Sequence, residues 1–405
     1  MLEKLKTKCN SQLSKINPLH RNALRYALIA YLFLRITTSV FIIMGILLFP
    51  AEPLPENDPA KYQVTLNDQS PFEYYLLEPW YRWDTAFYLE IAEDGYEANL
   101  TSTVWPPLYP WLIALFSLVF KPPMLAALIV SNLAAIFAFY GFYLYVAEIW
   151  SEDTARKALF FLVLFPTSFY FVAGYTESIF LLFSISSMLF ARKKNWILAG
   201  LTAALAVLTR NQGLLLAAPI AIEWWLSEKD RLQWRSFMQL ALGVVPLILA
   251  FCGYATYVHW GLGADWPWRT LETAWKLHWG LPWEGLIGNI EIILGLRSDR
   301  LFLIPIHCAD VLAFVITVYA LINLRKKMPL PLQIYSWLMV ILIFSKIDNI
   351  NVLVSSSRYI LAIFPIFVAL AENIKQKYAK LIWFALSLGA QLFFVIVFYW
   401  RGWVA

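Results

Sequence analysis

The sequence predicts an all-α, polytopic integral membrane protein. Its 405 residues are 60% hydrophobic and only 15% charged, and their mean hydropathy is +0.61. An ordinary soluble domain is nearer half apolar and a quarter charged. Apolar runs near membrane length recur along the chain, and a helix needs about 20 apolar residues to cross the hydrocarbon layer. Composition and periodicity therefore both favour a bundle of membrane helices.

The apolar runs predict about eleven transmembrane helices. They occupy residues 24–49, 124–147, 157–173, 176–191, 195–209, 213–226, 236–258, 301–323, 332–347, 358–371 and 380–400. The stretch 107–120 is too short between its prolines for a normal span, and we expect it to dip in and return. One long tilted helix over 195–226 is an alternative to the two short spans there.

The distribution of basic residues predicts which loops face the cytoplasm. Cytoplasmic loops carry an excess of Lys and Arg. If 107–120 does not cross, the basic N-terminus and the clusters at 192–194, 228–235, 325–327 and 375–380 all lie inside. The C-terminus then lies outside.

The first extracytoplasmic loop, residues 50–106, is acidic. Residues 50–105 hold eleven acids and two bases, and this shortage of bases marks the loop as external. Within it, Trp83, Phe87 and Ile91 repeat every four residues, which predicts an interfacial amphipathic helix over 80–94. We treat residues 1–405 as one transmembrane domain, and 50–106 as its catalytic loop.

A second extracytoplasmic loop, residues 259–300, is rich in tryptophan. Six tryptophans fall between Trp260 and Trp283. One interpretation is an aromatic belt at the membrane interface. The other is a lid that stacks on a sugar or shields a lipid.

Polar groups from distant segments are predicted to share the outward face. Asp84 follows Arg82 and Trp83, and its carboxylate could accept a proton from a hydroxyl. The alternative is a solvated acid in an acidic loop. Glu177 opens a span, where it could cap the helix or contact a sugar hydroxyl or an arginine.

Two arginines at span ends are candidate anion-binding groups. Arg210 and Arg358 are costly at membrane depth and suited to holding phosphate, although snorkelling to the headgroups is an alternative. Tyr359 could add a hydroxyl donor beside Arg358. Asn211 and Trp105, in the neighbouring polar segments, are further candidate substrate-binding residues, as are Arg82 and Trp83 beside Asp84.

Other classes of site are not predicted. The three cysteines are far apart and the four histidines form no i, i+4 pair, so no metal site and no cofactor is predicted. A divalent metal stays a possible but unsupported addition. The net charge of +5 reflects cytoplasmic Lys and Arg, and a nucleic-acid partner is not expected.

Five motifs in this order resemble a known family. The segments RWDTAFYLEIAEDGY, WPPLYP, YTESIFLL, LTRNQGLLL and SSRYILAIFPIF are similar to those of the PIG-V-like mannosyltransferases, within the GT-C superfamily. The resemblance runs from about residue 22 to 400. The first loop of this sequence lacks the DxD motif that the superfamily often shows there. The spare loops favour a prokaryotic relative over the eukaryotic branch that works on the GPI anchor precursor.

The resemblance implies an inverting glycosyltransferase of GT-C type whose catalytic acid, by position, is Asp84. The implied donor is a polyprenyl- or dolichyl-phosphate sugar, typically mannose, and the acceptor is a hydroxyl of a lipid or glycan. Membrane lipids complete the expected partners. The implied location is the plasma membrane in a prokaryote or the endoplasmic reticulum in a eukaryote.

Two other functions are compatible with the sequence. A transporter or flippase of a lipid-linked sugar would show inverted repeats and broken helices near the midplane, and no repeat is visible. A non-catalytic scaffold subunit would not need several polar groups on one face.

Overall fold

Helices dominate the computed structural model, which describes residues 17–49, 70–228, 233–296, 304–348, 352–353, 355–402 and 404. The α-helices of the first half are α1 (Pro18–Leu48), α2 (Asp84–Asp94), α3 (Leu108–Ser117), α4 (Pro123–Ile149), α5 (Glu152–Val163), α6 (Glu177–Arg192), α7 (Trp196–Thr209) and α8 (Ala217–Ser227). Those of the second half are α9 (Trp234–Thr256), α10 (Pro267–Thr273), α11 (Pro282–Ile293), α12 (Ile304–Leu324), α13 (Leu330–Phe344), α14 (Ser356–Tyr359), α15 (Pro365–Asn373) and α16 (Lys377–Tyr399). The basic segment 1–16 lies outside the described residues.

Five of the described helices are long and apolar enough to cross a membrane. They are α1, α4, α9, α12 and α16, and α9 continues as a π-turn to Gly261. Three shorter apolar helices are α3, α7 and α13. The prediction of an all-α, multi-pass membrane protein is therefore confirmed, whereas the count of eleven spans is not.

Several predicted spans are interrupted in the structure. In 157–173, α5 ends at Val163 and a 3₁₀ turn follows at Ser168–Phe171. In 358–371, α14 and a short turn precede α15. Both regions contain a proline, which removes a backbone donor and disfavours helix in the residue before it.

The segment 195–226 forms two helices and not a single tilted one. Helix α7 ends at Thr209, and Arg210 is extended, with φ −153° and ψ 136°. A 3₁₀ turn over Asn211–Leu216 then leads into α8. This break turns the backbone at Arg210 and directs the chain back along the bundle.

Helix α4 lies at the centre of the bundle. It contacts α1, α3, α5 and α6, and small residues fill much of its buried surface. The buried alanines are Ala126, Ala127, Ala134, Ala135 and Ala138. Small side chains let membrane helices approach closely, where van der Waals packing holds them together.

The described part of the first loop begins at Ser70, and residues 50–69 lie outside it. A helix is present where one was predicted, but α2 begins at Asp84 and buries Thr85, Ala86, Tyr88, Leu89 and Ile91. Trp83 and Phe87 are half-buried and Ile91 is buried, and the predicted orientation of this apolar stripe toward the membrane surface stays a prediction.

The Trp-rich loop contributes one strand to a small sheet that the sequence did not predict. Strand β1 (Leu277–Trp279) pairs antiparallel with β2 (Lys346–Asp348), and β2 pairs antiparallel with β3 (Val352–Leu353). Trp279 is the partner of Lys346 in this register. The sheet joins the Trp-rich loop to the end of α13.

Candidate active site

A strained turn places Asp84 at the first position of α2. The residue before it, Trp83, has φ 53° and ψ −120°, which is unusual for a bulky side chain. Its indole Nε1 donates to the carbonyl of Gly402 at 3.2 Å. Strain of this kind persists where surrounding contacts fix it, and it is common at functional sites.

The start of α2 also packs closely against the segment before α6. The hydroxyl of Thr85 donates to the carbonyl of Gly174 at 3.1 Å. A Cβ at Gly174 would lie 3.2 Å from Cγ2 of Thr85 and 3.0 Å from Cε of Met124. A glycine at this position therefore allows α2 to approach the bundle.

Arg82 faces away from the other candidate residues. It is buried, forms an ion pair with Glu78 at 2.9 Å and donates to the carbonyl of Tyr399 at 3.1 Å. Its own carbonyl accepts from the Tyr175 hydroxyl at 3.0 Å. These contacts give Arg82 a role in fixing the backbone, and its predicted contact with substrate stays a prediction.

Four charged side chains from four segments form one cluster. Nη2 of Arg358 lies 3.0 Å from Oδ2 of Asp84, and its Nε lies 3.2 Å from Oε1 of Glu177. The same Glu177 oxygen accepts from Nη1 of Arg210 at 2.5 Å. The exposed fractions are 14% for Asp84, 3% for Arg358, 4% for Glu177 and 13% for Arg210. Neither arginine therefore snorkels to the membrane surface.

Tyrosine rings surround the arginine at the centre of this cluster. The guanidinium carbon of Arg358 lies 5.1 Å from the ring centre of Tyr170, 5.3 Å from that of Tyr175 and 4.8 Å from that of Tyr359. Its Nη2 also donates to the Tyr359 hydroxyl at 3.1 Å. Electron-rich ring faces attract a guanidinium and hold it in place.

A third cation stands beside Tyr359. The ring centre of this tyrosine lies 4.6 Å from the guanidinium carbon of Arg210 and 5.5 Å from Nζ of Lys346. Lys346 makes no ion pair with any residue that the structure describes. Three cations and the two carboxylates of Asp84 and Glu177 leave the site with a net charge of +1, which favours an anionic ligand.

A narrow recess opens at the cluster. Its volume is about 280 Å³ including the open mouth. The lining residues are Glu177, Phe180, Arg210, Gln212, Met339, Arg358, Tyr359, Leu361 and Ala362. Asp84 does not line it but contacts Arg358, which does. Among the neighbours of Arg210 in the chain, Gln212 faces the recess, whereas Asn211 begins the 3₁₀ turn and is half-buried.

Trp105 belongs to an aromatic group that includes Phe87 and Tyr88 of α2. Its ring stacks on Phe87 at 4.3 Å between centres, and Trp275 of the Trp-rich loop meets both rings edge-on. Trp105 also meets Tyr88 edge-on at 6.4 Å. One face of its ring covers Phe87, and the predicted role of Trp105 in substrate binding stays a prediction.

The predicted convergence of the outward segments is thus observed for Asp84, Glu177, Arg210, Arg358 and Tyr359. The sequence analysis missed four residues of the site: Tyr170, Tyr175, Gln212 and Lys346. The two tyrosines lie in the segments before Glu177, and Lys346 lies near the end of the apolar run 332–347, which was predicted as a span. Within the described ranges, no three His, Cys, Asp or Glu side chains are grouped as metal ligands.

Comparison with known proteins gives matches in the middle of the chain. Residues 104–254 match the family described as dolichyl-phosphate-mannose-protein mannosyltransferase. A segment of 147 residues is 33% identical to GPI mannosyltransferase 2 of Schizosaccharomyces pombe and covers 34% of this chain. The match spans 31% of that relative, so about a third of its length is represented.

The chain is also similar to two solved structures. One is ArnT from Cupriavidus metallidurans bound to undecaprenyl phosphate, with a TM-score of 0.48, 14% identity and coverage of 73% of this chain and 56% of that chain. Another is the oligosaccharyltransferase of Archaeoglobus fulgidus, with a TM-score of 0.42, 12% identity and coverage of 93% and 56%.

The matched segment contains Trp105, Glu177, Arg210 and Asn211 but neither Asp84 nor Arg358. The roles of the last two therefore rest on geometry alone. The match does not distinguish the PIG-V-like branch from others. Over residues 104–254 the chain is similar to this mannosyltransferase family, which confirms a resemblance to mannosyltransferases of the kind predicted from its motifs.

Proposed function

We propose that this chain is an inverting glycosyltransferase that uses a polyprenyl- or dolichyl-phosphate sugar as donor. The family match favours mannose as the sugar, and the acceptor is a hydroxyl of a lipid or glycan. The observation that carries this proposal is the contact between Asp84 and Arg358, which brings a base and an anion-binding cation to one point.

The chemistry needs one proton acceptor and one stabilised leaving group. Asp84 takes the proton of the acceptor hydroxyl as its oxygen forms a bond to the anomeric carbon. The bond from that carbon to the phosphate oxygen breaks on the opposite face, so the configuration inverts. The lipid phosphate leaves with one more negative charge than it carried as a diester, and nearby cations stabilise it.

Donor binding could free the base. In the structure Arg358 holds Oδ2 of Asp84, and it also contacts Glu177. A phosphate oxygen offers the same guanidinium a competing charge-assisted partner. We infer that the donor phosphate takes over part of this contact, which makes the Asp84 carboxylate available to the acceptor. Lys346, whose Nζ lies 5.5 Å from the ring centre of Tyr359, supplies the positive charge that no described carboxylate balances.

The site does not select between prokaryotic and eukaryotic membranes. If the chain is prokaryotic, as its spare loops favour, we propose the plasma membrane and an outward-facing site. In a eukaryote the corresponding location is the endoplasmic reticulum. Both assignments rest on the charge pattern of the loops.

Replacing Asp84 with Asn tests the proposal. General-base catalysis contributes about 10²- to 10⁴-fold in rate, so Asp84→Asn should slow transfer by roughly that factor, about 3–5 kcal/mol of barrier. The assay follows radiolabelled dolichyl- or polyprenyl-phosphate mannose in liposomes that also contain a total lipid extract as acceptor. A matched control is Asp94→Asn, which changes an exposed acid at the other end of the same helix.

The same liposomes separate the alternative functions. Label that appears on a new acceptor indicates a transferase, and label that only crosses the bilayer indicates a transporter. If the label neither reaches a new acceptor nor crosses the bilayer, the chain is a non-catalytic scaffold. Transfer by Asp84→Asn at the parental rate would contradict the role of this carboxylate, even if the chain is a transferase.

A further inference from the structure

A buried acid outside the proposed reaction centre lies directly behind Arg358. Asp310, on the membrane-spanning helix α12, is 1% exposed. Its Oδ1 accepts a hydrogen bond from the backbone N–H of Ser357 at 2.7 Å. It forms no ion pair with any cation in the described parts of the chain. An ionisable residue at such a position is costly and usually serves a function.

A second side chain binds the backbone carbonyl of Ser357. The hydroxyl of Thr167, which is fully buried, donates to the carbonyl of Ser357 at 2.7 Å. The N–H and the C=O of the residue just before Arg358 are therefore each fixed by a side chain, one from α12 and one from the segment after α5. Two opposed contacts of this kind restrict both rotation and translation of the backbone there.

The turn that they hold is not one that its sequence favours. Ser355, two residues before Ser357, has φ 57° and ψ 28°, in the left-handed region. A residue other than glycine stays there only when its surroundings impose the conformation. The Ser357 N–H has the buried carboxyl oxygen of Asp310 as its acceptor, and a buried donor is costly to leave without a partner, so Asp310 is suited to impose it.

The direction of Arg358 depends on this turn. Its guanidinium is within 3.2 Å of both Asp84 and Glu177. A misplacement of about 1 Å in a catalytic arrangement can cost roughly 100-fold in rate. Because Arg358 directly follows Ser357, a shift of that residue moves the guanidinium relative to both carboxylates.

We propose that Asp310 is a positioning residue, which fixes the turn Ser355–Tyr359 and so aims Arg358 at Asp84 and Glu177. Thr167 assists it from the opposite side. The part of this inference that concerns the role of Arg358 rests on the proposed function. The structural part, that Asp310 holds the turn, does not depend on it.

Hydrogen exchange tests the structural half of the proposal. The variants are Asp310→Leu, which removes the acceptor, and Asp310→Asn, which keeps an acceptor oxygen. We expect Asp310→Leu to speed exchange of the amides in 355–359 by at least about tenfold, and Asp310→Asn to restore most of the protection. The purified protein in detergent is used throughout. Unchanged exchange in Asp310→Leu would overturn the proposal.

A matched control on the same helix is Thr317→Val. Thr317 is fully buried in α12, its hydroxyl has no hydrogen-bond partner among the described residues, and valine has nearly the same shape. We expect this variant to leave both the exchange of 355–359 and the transfer rate unchanged. Equal effects of Thr317→Val and Asp310→Leu would reduce the role of Asp310 to helix packing and overturn the proposal.

A double-mutant cycle tests whether Asp310 acts through Arg358. Alone, Asp310→Leu should reduce transfer about 10- to 100-fold, mainly in kcat, and Asp310→Asn much less. In a protein that already carries Arg358→Lys, adding Asp310→Leu should lower the transfer rate by less than about a further twofold. The effects of coupled residues are not additive. Losses that multiply would show independent action and contradict the proposal. If the parental protein transfers no sugar, the proposed function fails, and the exchange rates still decide whether Asp310 holds the turn.

Discussion

Glu177 links the two arginines of the site. It is the first residue of α6, where a negative charge is stabilised by the helix dipole. One of its oxygens, Oε1, accepts a hydrogen bond from Nη1 of Arg210 and lies 3.2 Å from Nε of Arg358 in an ion pair. The two interpretations offered by the sequence, a cap position and a contact with an arginine, are therefore both compatible with its place. Its predicted contact with a sugar hydroxyl stays a prediction.

Neutralising Glu177 should disturb both arginines at once. Hydrogen bonds to charged groups contribute about 1.5–3 kcal/mol, so Glu177→Gln should lower the transfer rate by roughly 10- to 100-fold and also lower the melting temperature in detergent. The control is Glu148→Gln, which alters a pair with Arg192 whose side chains are 37% and 31% exposed. Such surface pairs contribute about 0–1 kcal/mol. Equal effects of the two substitutions would contradict a special role for Glu177.

At the residue scale, part of the site could be predicted and part could not. Asp84, Arg210 and Arg358 stood out because charge near an apolar span is costly. Lys346 gave no such signal, since a lysine at the end of an apolar run is typical of a membrane-interface residue. It reaches Tyr359 only because β2 pairs with β1 and β3, and strands of two or three residues leave no periodic pattern in a sequence.

At the scale of elements, the closest helix pair is α7 and α9. Gly200 of α7 faces the backbone of α9, and a Cβ there would lie 2.1 Å from the carbonyl oxygen of Leu242 and 3.2 Å from that of Gly243. Helix α7 leads directly to Arg210, so this crossing also fixes one side of the site. Apolar runs predicted both helices. Their close contact depends on the absence of a side chain at Gly200, which a hydropathy pattern does not show.

A methyl group at Gly200 should force these helices apart. Overpacking typically costs about 1–3 kcal/mol, so Gly200→Ala should lower the melting temperature and reduce transfer. The matched control is Gly389→Ala in α16, where a Cβ meets no atom within 4 Å. Alanine is the better helix former, so this control should leave the protein equally or slightly more stable. Two variants of equal stability would contradict the tight crossing.

At the scale of the whole molecule, segments far apart in the chain hold the catalytic loop. Arg82 donates to the carbonyl of Tyr399, and Trp83 donates to that of Gly402. Trp400 in turn donates to the carbonyl of Phe49 at 2.7 Å. The positive-inside pattern predicted that the outward segments share one side, and that level of organisation could be read from charge alone. Contacts across more than 300 residues of sequence depend on packing, and no local pattern encodes them.

Removing the indole donor of Trp83 should therefore weaken catalysis from outside the reaction centre. Trp83→Phe keeps an aromatic ring but loses the bond to Gly402, and a typical hydrogen bond contributes about 0.5–1.5 kcal/mol. We expect the transfer rate to fall about 2- to 10-fold, because the turn that sets Asp84 is less well held.

The control for this prediction is Trp224→Phe, which removes an equivalent bond to the carbonyl of Ser236 at 2.9 Å, far from the site in the fold. It should lower the melting temperature by a similar amount and leave kcat and KM unchanged. Suppose that Trp83→Phe, like the control, lowers the melting temperature and leaves kcat and KM unchanged. The C-terminal segment would then stabilise the fold without setting the position of Asp84. A fall in kcat confined to Trp83→Phe would instead show that the end of α16 and the catalytic loop act as one unit, because only that variant touches their contact.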